Sequence, residues 1–301
     1  MWGIKGGRDL DICVIQVPSY AGDERHPSSA GPRRLIEAGA MGLLEDQGHR
    51  VTVELAEQGG PFRDTAHSSA GVNRKVATAV RGAIAADAFP LVLAGSCVTA
   101  HGVLAGFDHA GCGIVWIDAH GDFNTPQTTV SGFFPGMSLA VITGDCYGDY
   151  WAQIGDSAPV AGDVIVMFGV REVSPEAERE RLERSGIQVV EWRGGRPQGD
   201  VLATLDILAT RVGDVYLHID LDGFAPEVAP GVVDEPVPGG LSIADAEAIV
   251  RATAGRFRLR AATLATFNPE LDGDGRTSQL ALRLMEIIGE CADRSGDRSP
   301  F

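Results

Sequence analysis

The sequence predicts an α/β protein: a single domain of three layers, α/β/α, built on a mostly parallel central sheet. Three observations carry this. Short apolar runs, partly β-branched, alternate with amphipathic helical segments from residue 11 to residue 289. No linker, repeat or low-complexity tract interrupts the alternation, so residues 1–301 read as one domain. Two of the apolar runs end in acids at alternate positions, and the ends of such strands are where α/β proteins gather their chemistry.

Taken in order, Asp11 to Val17 is a short apolar strand stopped by Pro18-Ser19-Tyr20-Ala21-Gly22. Gly31 to Ala40 reads as a helix, with Pro32 in its first turn. Val51 to Leu55 is the second strand and Asn73 to Ala86 an amphipathic helix. Phe89 to Ala94 is a third strand, followed by the turn Gly95-Ser96-Cys97 and a helix from Val98 to Phe107. Gly113 to Ile117 is apolar enough to be a buried strand. Pro126 to Gly136 is too long for a plain connector and is a candidate substrate loop. Asp163 to Val170 is a strand, Ser174-Pro175-Glu176 opens a charged helix to Arg184, Gln188 to Trp192 is a strand, and Val201 to Val212 is a helix. A strand through Val215 follows, then the Pro- and Gly-rich loop Val232 to Gly240. Ser242 caps a helix to Thr253, Leu259 to Phe267 is the last strand, and Thr277 to Gly289 the last long helix. The tail from Cys291 to Phe301 is polar and expected to fray.

Composition excludes several classes of function. With 44% apolar residues the chain can bury a large core. A formal net charge of −16 argues against a nucleic-acid binder, which needs a basic face, and gives no attraction to anionic membranes. No apolar run reaches the roughly 18 residues of a membrane span. The N-terminal stretch does not read as a signal peptide. Five scattered cysteines, with no Cys-x-x-Cys pair, suit reduced thiols in a cytoplasm.

The chemistry concentrates in two stretches. Asp118, His120 and Asp122 stand at alternate positions after the Gly113–Ile117 run, and Asp220 and Asp222 do the same after Val215–Ile219. Alternate residues of an extended chain point the same way, so each set is expected to converge. Four carboxylates brought together repel one another and pay for desolvation. A pair of divalent cations removes that difficulty, and a carboxylate-rich set with an imidazole suits manganese better than zinc.

These residues resemble the ureohydrolase family, which includes arginase and agmatinase. Its second signature, Asp-Ala-His-x-Asp, is intact as Asp118-Ala119-His120-Gly121-Asp122. The third, Ser-Phe-Asp-x-Asp-x-x-Asp-Pro, is matched by His218-Ile219-Asp220-Leu221-Asp222-Gly223-Phe224-Ala225-Pro226, and the first, Gly-Gly-Asp-His-Ser, is altered to Ala94-Gly95-Ser96-Cys97-Val98. Gly31-Pro32 to Gly39, Pro236 to Leu241 and Asn268-Pro269 resemble further family segments, so the similarity covers nearly the whole chain. The resemblance implies an arginase-like fold, a homo-oligomer (trimer or hexamer) and a binuclear Mn2+ site. One metal would take Cys97, Asp118, Asp122 and Asp220, and the other His120, Asp118, Asp220 and Asp222, with a hydroxide between them as nucleophile. Asp122 and His120 are expected to serve catalysis as well.

The departures from the family bear on substrate. Cys97 stands where the family has a ligand histidine. It is either a thiolate ligand or a small buried cysteine beside a site that holds one metal. His101, four residues on, is expected to pack or cap, with rescue of the missing ligand as the alternative; His218 is expected to support the ligands from behind. Asn124 to Gly132 closely resembles the arginase loop whose residues matching Asn124 and Ser131 hold the substrate α-carboxylate. Ser174 replaces an aspartate that reads the α-amino group, with Glu172 nearby keeping its acid. Pro135 replaces a proton-shuttling histidine, Ala225 an aspartate outside the ligand set, and Thr266 the glutamate that grips the guanidinium. A guanidinium pairs best with a carboxylate, so its loss favours a less basic group. The expected activity is hydrolysis of Nω-hydroxyarginine or a similar small guanidino amino acid to an ornithine-like product and (hydroxy)urea. Hydrolysis of unmodified arginine or agmatine is a second possibility, and a non-catalytic protein with a degenerate metal site a third.

Overall fold

A computed structural model describes residues 10–234 and 236–295. Eight strands form one parallel sheet: β1 (Asp11–Val17), β2 (Arg50–Leu55), β3 (Phe89–Ala94), β4 (Cys112–Ile117), β5 (Ile165–Phe168), β6 (Gln188–Val190), β9 (Asp214–Asp220) and β10 (Arg258–Ala265). Their order across the sheet is β2-β1-β3-β10-β9-β4-β5-β6. The intervening β7 (Trp192–Arg193) and β8 (Arg196–Pro197) make a small antiparallel pair apart from it. The predicted strand from Gln188 to Trp192 therefore divides, its last residue joining that pair.

Helices cover both faces, as the alternation predicts. The helices α1 (Gly31–Glu37), α2 (Ala40–Asp46), α8 (Val201–Ala209), α9 (Ile243–Ala254) and α10 (Arg276–Ser295) pack on one face. The other face carries α3 (Thr65–Ala85), α4 (Ala100–Ala105), α5 (Ser138–Ile142), α6 (Gly148–Ile154) and α7 (Glu176–Arg184). The central strands feed both layers alternately: Val115 and Ile117 of β4 point to the first, Ile114 and Trp116 to the second. Burying side chains of this size contributes about 1.5–3 kcal/mol each.

Several boundaries differ from the sequence reading, for local reasons. The segment from Gly31 to Ala40 is not one helix, because Gly39 adopts φ +100° and turns the chain between α1 and α2. α3 begins at Thr65, well before Asn73, where the Asp64 side chain caps it by accepting from His67 N. A 3-10 turn over Gly162–Val164 precedes β5, so the predicted strand from Asp163 shortens to four residues. α5 and α6 lie beyond the Pro126–Gly136 loop, in a stretch for which the sequence predicts no element. Helix α10 runs on through Cys291 to Ser295, with Cys291 and Ala292 buried; the rest of the expected tail lies outside the described residues.

The donors after β4 and β9 do not meet by strand alternation, and Asp122 stays outside the close donor groups. β4 ends at Ile117, before Asp118, and Asp122 has φ +49°, so the Asp118–Asp122 segment is a turn and not an extended strand. β9 ends at Asp220, and Asp222 lies in a 3-10 turn over Leu221–Gly223. Convergence comes from these turns stacking at the carboxyl ends of neighbouring strands.

Those ends are packed without slack. The turn after β1 and the turn after β3 interlock: Ala21 N donates to Ser96 Oγ at 3.0 Å, and a Cβ on Gly95 would stand 2.5 Å from the Ser19 carbonyl oxygen. Backbone cannot yield there as a flexible side chain would. Gly95→Ala is therefore expected to cost about 1–3 kcal/mol of stability, read as a lowered midpoint in urea unfolding; an unchanged midpoint would refute the interlock.

Candidate metal centre and substrate pocket

Cys97, the Asp118–Asp122 turn, Asp220 and Asp222 follow β3, β4 and β9, and Thr266 follows β10 between them in the sheet. They line one cavity of about 330 Å³. The thiol of Cys97 and carboxylate oxygens of Asp118 and Asp220 lie within 4.8 Å of one another, and so do donor atoms of Asp118, His120 and Asp222. Asp118 belongs to both sets. Asp122 lies outside these sets, but its Oδ2 is buried with no hydrogen-bond partner among the described residues.

Each carboxylate is aimed by a specific donor. Asp118 Oδ2 accepts from the Trp116 indole at 3.0 Å and its Oδ1 from His120 N at 2.8 Å. Asp222 Oδ1 accepts from Ala119 N at 3.1 Å, and Asp220 Oδ1 from Asp222 N at 2.8 Å. Arg171, whose guanidinium donates to the carbonyls of Asp222, Gly223 and Phe224, fixes the turn carrying Asp222 from behind. Thr266 donates its hydroxyl to Asp220 Oδ2. Asp122 and Thr266, at φ +49° and +69°, hold left-handed backbone that non-glycine residues rarely adopt, at a cost of about 1–3 kcal/mol each.

Without a cation the group is electrostatically frustrated. Burial, then the neighbouring acids, raises Asp118 and pushes Asp122 and Asp220 well above the usual carboxylate range. Burial and the same acids raise the Cys97 thiol. Burial acts against the charge on His120, yet Asp222 and Asp118 outweigh it and push His120 up to about 12. Its Nδ1 lies 3.1 Å from Asp222 Oδ2. Asp222 is also buried, but His120 holds it below its ordinary value. A buried oxygen with no partner, two three-donor sets sharing one carboxylate, and a mutually repelling cluster are together what divalent cations would relieve.

The two histidines near Cys97 do different things. His101 does not reach the donor sets: its Nδ1 contacts the Tyr150 hydroxyl and its Nε2 the Ser138 carbonyl oxygen, each at 3.0 Å. The rescuing role for His101 is thus corrected, and the packing role stands. His218 Nε2 lies 3.2 Å from Cys97 Sγ, while Nδ1 contacts the Tyr216 hydroxyl at 2.9 Å and the ring stacks on Trp116 at 3.7 Å. Burial lowers His218 to about 3, so it is a neutral ring beside the sulfur.

Asn124, Ser131, Glu172 and Ser174 line the outer part of the same cavity. Asn124 is engaged on both sides, donating Nδ2–H to the Ser174 carbonyl and accepting from the Thr128 hydroxyl at 3.0 Å each. One amide proton remains available to a ligand. Ser131 Oγ accepts from Phe133 N, which leaves its own proton free to donate. Pro135 also faces the cavity.

Three lining or supporting groups escaped the sequence reading. Glu178, buried on α7, accepts from Phe123 N at 2.9 Å and Ser174 N at 2.8 Å, tying the ligand turn to the Ser174 turn. Its spacing from buried Leu182 marks the inward face of a helix otherwise charged all round. Tyr20, in the turn after β1, lines the cavity, and Arg171 braces it; neither carried a periodic signal.

Residues 10–289 match the arginase family. The chain is 32% identical over 296 residues to an arginase of Bacillus caldovelox, covering 93% of this chain and 98% of that protein. The solved structure of the B. caldovelox arginase superposes with a TM-score of 0.84 at 30% identity, covering 93% and 98% of the two chains. An N(omega)-hydroxy-L-arginine amidinohydrolase of Streptomyces lavendulae is 30% identical over 191 residues, 64% of each chain.

Because His120 is held protonated up to about 12 and the Cys97 thiol is raised, a cation entering the site must displace protons. Apparent metal affinity is expected to rise with pH across the neutral range. Calorimetry of Mn2+ binding in buffers of differing ionisation heat should register proton release; equal heats in every buffer would contradict the arrangement.

Proposed function

This chain belongs to the arginase family, and is thus a ureohydrolase-type hydrolase; from that premise we propose that it cleaves a guanidino α-amino acid of low basicity, Nω-hydroxyarginine or a close analogue. The observation that carries this reading is the Thr266 hydroxyl bound to Asp220 where the family's guanidinium-binding glutamate is expected. The other acids lining the cavity offer no replacement at that depth: Glu178 is occupied by backbone N–H groups, and Glu172 is exposed at the rim. A full cation would enter without its natural partner. The similarity to the S. lavendulae hydroxyarginine enzyme supports the same substrate. The full-length similarity to named arginases favours unmodified arginine as the second reading.

In this proposal Cys97, Asp118, Asp122 and Asp220 hold one divalent cation, and His120, Asp118, Asp220 and Asp222 the other; a carboxylate-dominated set suits manganese. Bound, the cations supply Lewis acidity and a water activated near neutral pH. The protein does the rest. Asn124 and Ser131 orient the substrate α-carboxylate, and Glu172 and Ser174 face its α-amino group, so the guanidino carbon is presented to the metal end of the cavity. Asp122 Oδ2, with no partner among the described residues, is the atom that would accept a proton from the attacking water. His120 serves as ligand and closes the Asp222 side. With Pro135 in place of an imidazole, nothing at that position delivers a proton to the leaving nitrogen. An N-hydroxylated leaving group, less basic than an amine, tolerates that loss better than arginine does.

Turnover by the Mn2+-loaded protein on Nω-hydroxyarginine and arginine side by side is expected to be faster on the hydroxylated substrate, followed as amino-acid product. Faster release from arginine would replace the first reading by the second. Cys97→Ala is expected to lose one metal per chain and at least tenfold in turnover, measured by elemental analysis and rate; two metals and full rate in that variant would remove Cys97 from the ligand set.

A further inference from the structure

With Pro135 and Thr266 in place of the family's polar groups, the inner cavity needs another group to recognise the reacting end of the substrate. The turn after β1 provides one. Tyr20 N donates to the Asp23 carbonyl at 3.0 Å and Asp23 N returns a bond to the Tyr20 carbonyl at 2.9 Å. Gly22, at φ +87°, donates N–H to Ser19 Oγ, and Ala21 is pinned to Ser96, the neighbour of Cys97. The ring itself stacks on His26 with centroids 3.7 Å apart and planes 13° from parallel, and Phe133 of the substrate loop lies at 6.4 Å on a tilted edge. Backbone and ring are thus both fixed, and the side chain enters the cavity. It shares that cavity with Asp220, Cys97, Asp222 and Asp122. The Tyr20 hydroxyl has no hydrogen-bond partner among the described residues.

We propose that Tyr20 is a specificity-determining residue, donating its hydroxyl proton to the oxygen of an N-hydroxyguanidino group and so distinguishing that group from an unmodified guanidinium. The inference rests on the substrate reading above. Its logic is one of hydrogen-bond polarity. A phenol at neutral pH carries a proton to donate. A guanidinium offers only donors, so it can use the phenol oxygen but leaves the phenol proton in the cavity without an acceptor. An N-hydroxyl oxygen supplies that acceptor. Discrimination by a buried polar group left unpaired with the wrong ligand exceeds what apolar shape alone provides. Once cations occupy the carboxylates, the substrate oxygen is the acceptor that remains for this proton.

The test compares KM and kcat for Nω-hydroxyarginine and for arginine with the Mn2+-loaded wild-type protein and with Tyr20→Phe, apparent affinity being read from KM and metal content measured on both. Phenylalanine keeps the ring on His26 and removes only the hydroxyl. The expected result is a loss of tenfold or more in affinity for Nω-hydroxyarginine, a change below threefold for arginine, and unchanged metal content. Equal losses for both ligands, no loss for either, loss of metal, or a wild type that binds the two alike would each overturn the role. The two readings stay distinguishable: a wild type that hydrolyses arginine faster defeats the substrate reading, whereas an unshifted ratio of the two KM values in Tyr20→Phe defeats this inference alone. His26→Ala, which frees the ring while keeping the hydroxyl, is expected to lower the same ratio by a smaller factor.

Discussion

Four carboxylates, a thiol and an imidazole are confined at the carboxyl ends of β3, β9 and β4, and most of what surrounds them serves to keep them there. Like charges in a low-dielectric space repel more strongly than at a surface. An unaided chain would open the turns or protonate the acids. Here the Trp116 indole, the N–H groups of Ala119, His120 and Asp222, and the Thr266 hydroxyl each meet a carboxylate oxygen. The donors set direction but cannot cancel the charge, which is why Asp122 and Asp220 stay raised and His120 holds its proton. The fold builds a site with a deficit of positive charge at its centre, which divalent cations would relieve.

The rest of the structure makes that confinement rigid. The parallel sheet places β3, β10, β9, β4 and β5 side by side, so turns from distant parts of the chain become neighbours. Each turn is held by another: Ser96 by the turn after β1, the Asp222 turn by Arg171, and the Asp122–Asn124 segment by Glu178. Strained backbone at Asp122 and Thr266 is tolerated because these neighbours leave it no alternative. A hydrolase that must hold substrate to within a fraction of an ångström gains from such preorganisation.

The substitutions relative to the family pattern form a coherent set in space. An imidazole stands at 218, where the family signature has serine, and its Nε2 lies 3.2 Å from the Cys97 sulfur. Thr266, in place of a long acid, reaches only as far as Asp220. Pro135 and Tyr20 line the same cavity. A site decaying without constraint has no reason to keep its carboxylates buried, aimed and mutually bonded, and these remain so.

By itself the sequence determined the α/β class, the parallel sheet, most of the strands and the residues that are candidate metal donors. Hydrophobic periodicity and the Asp-Ala-His-x-Asp and Asp-x-Asp spacings are local properties, legible in one dimension. It also determined which positions depart from the family pattern, since those are identities. The tertiary structure decided how the donors meet: by left-handed and 3-10 turns after the strands, where alternation along an extended chain was the expectation. It decided that His101 belongs to the core and that Thr266 is already bonded. Glu178, Arg171 and Tyr20 became visible only there. Glu178 reaches Phe123, 55 positions away, Arg171 reaches Asp222, 51 away, and Ala21, beside Tyr20, reaches Ser96, 75 away. Contacts of that range depend on the order of strands in the sheet, and no local pattern of residues encodes them.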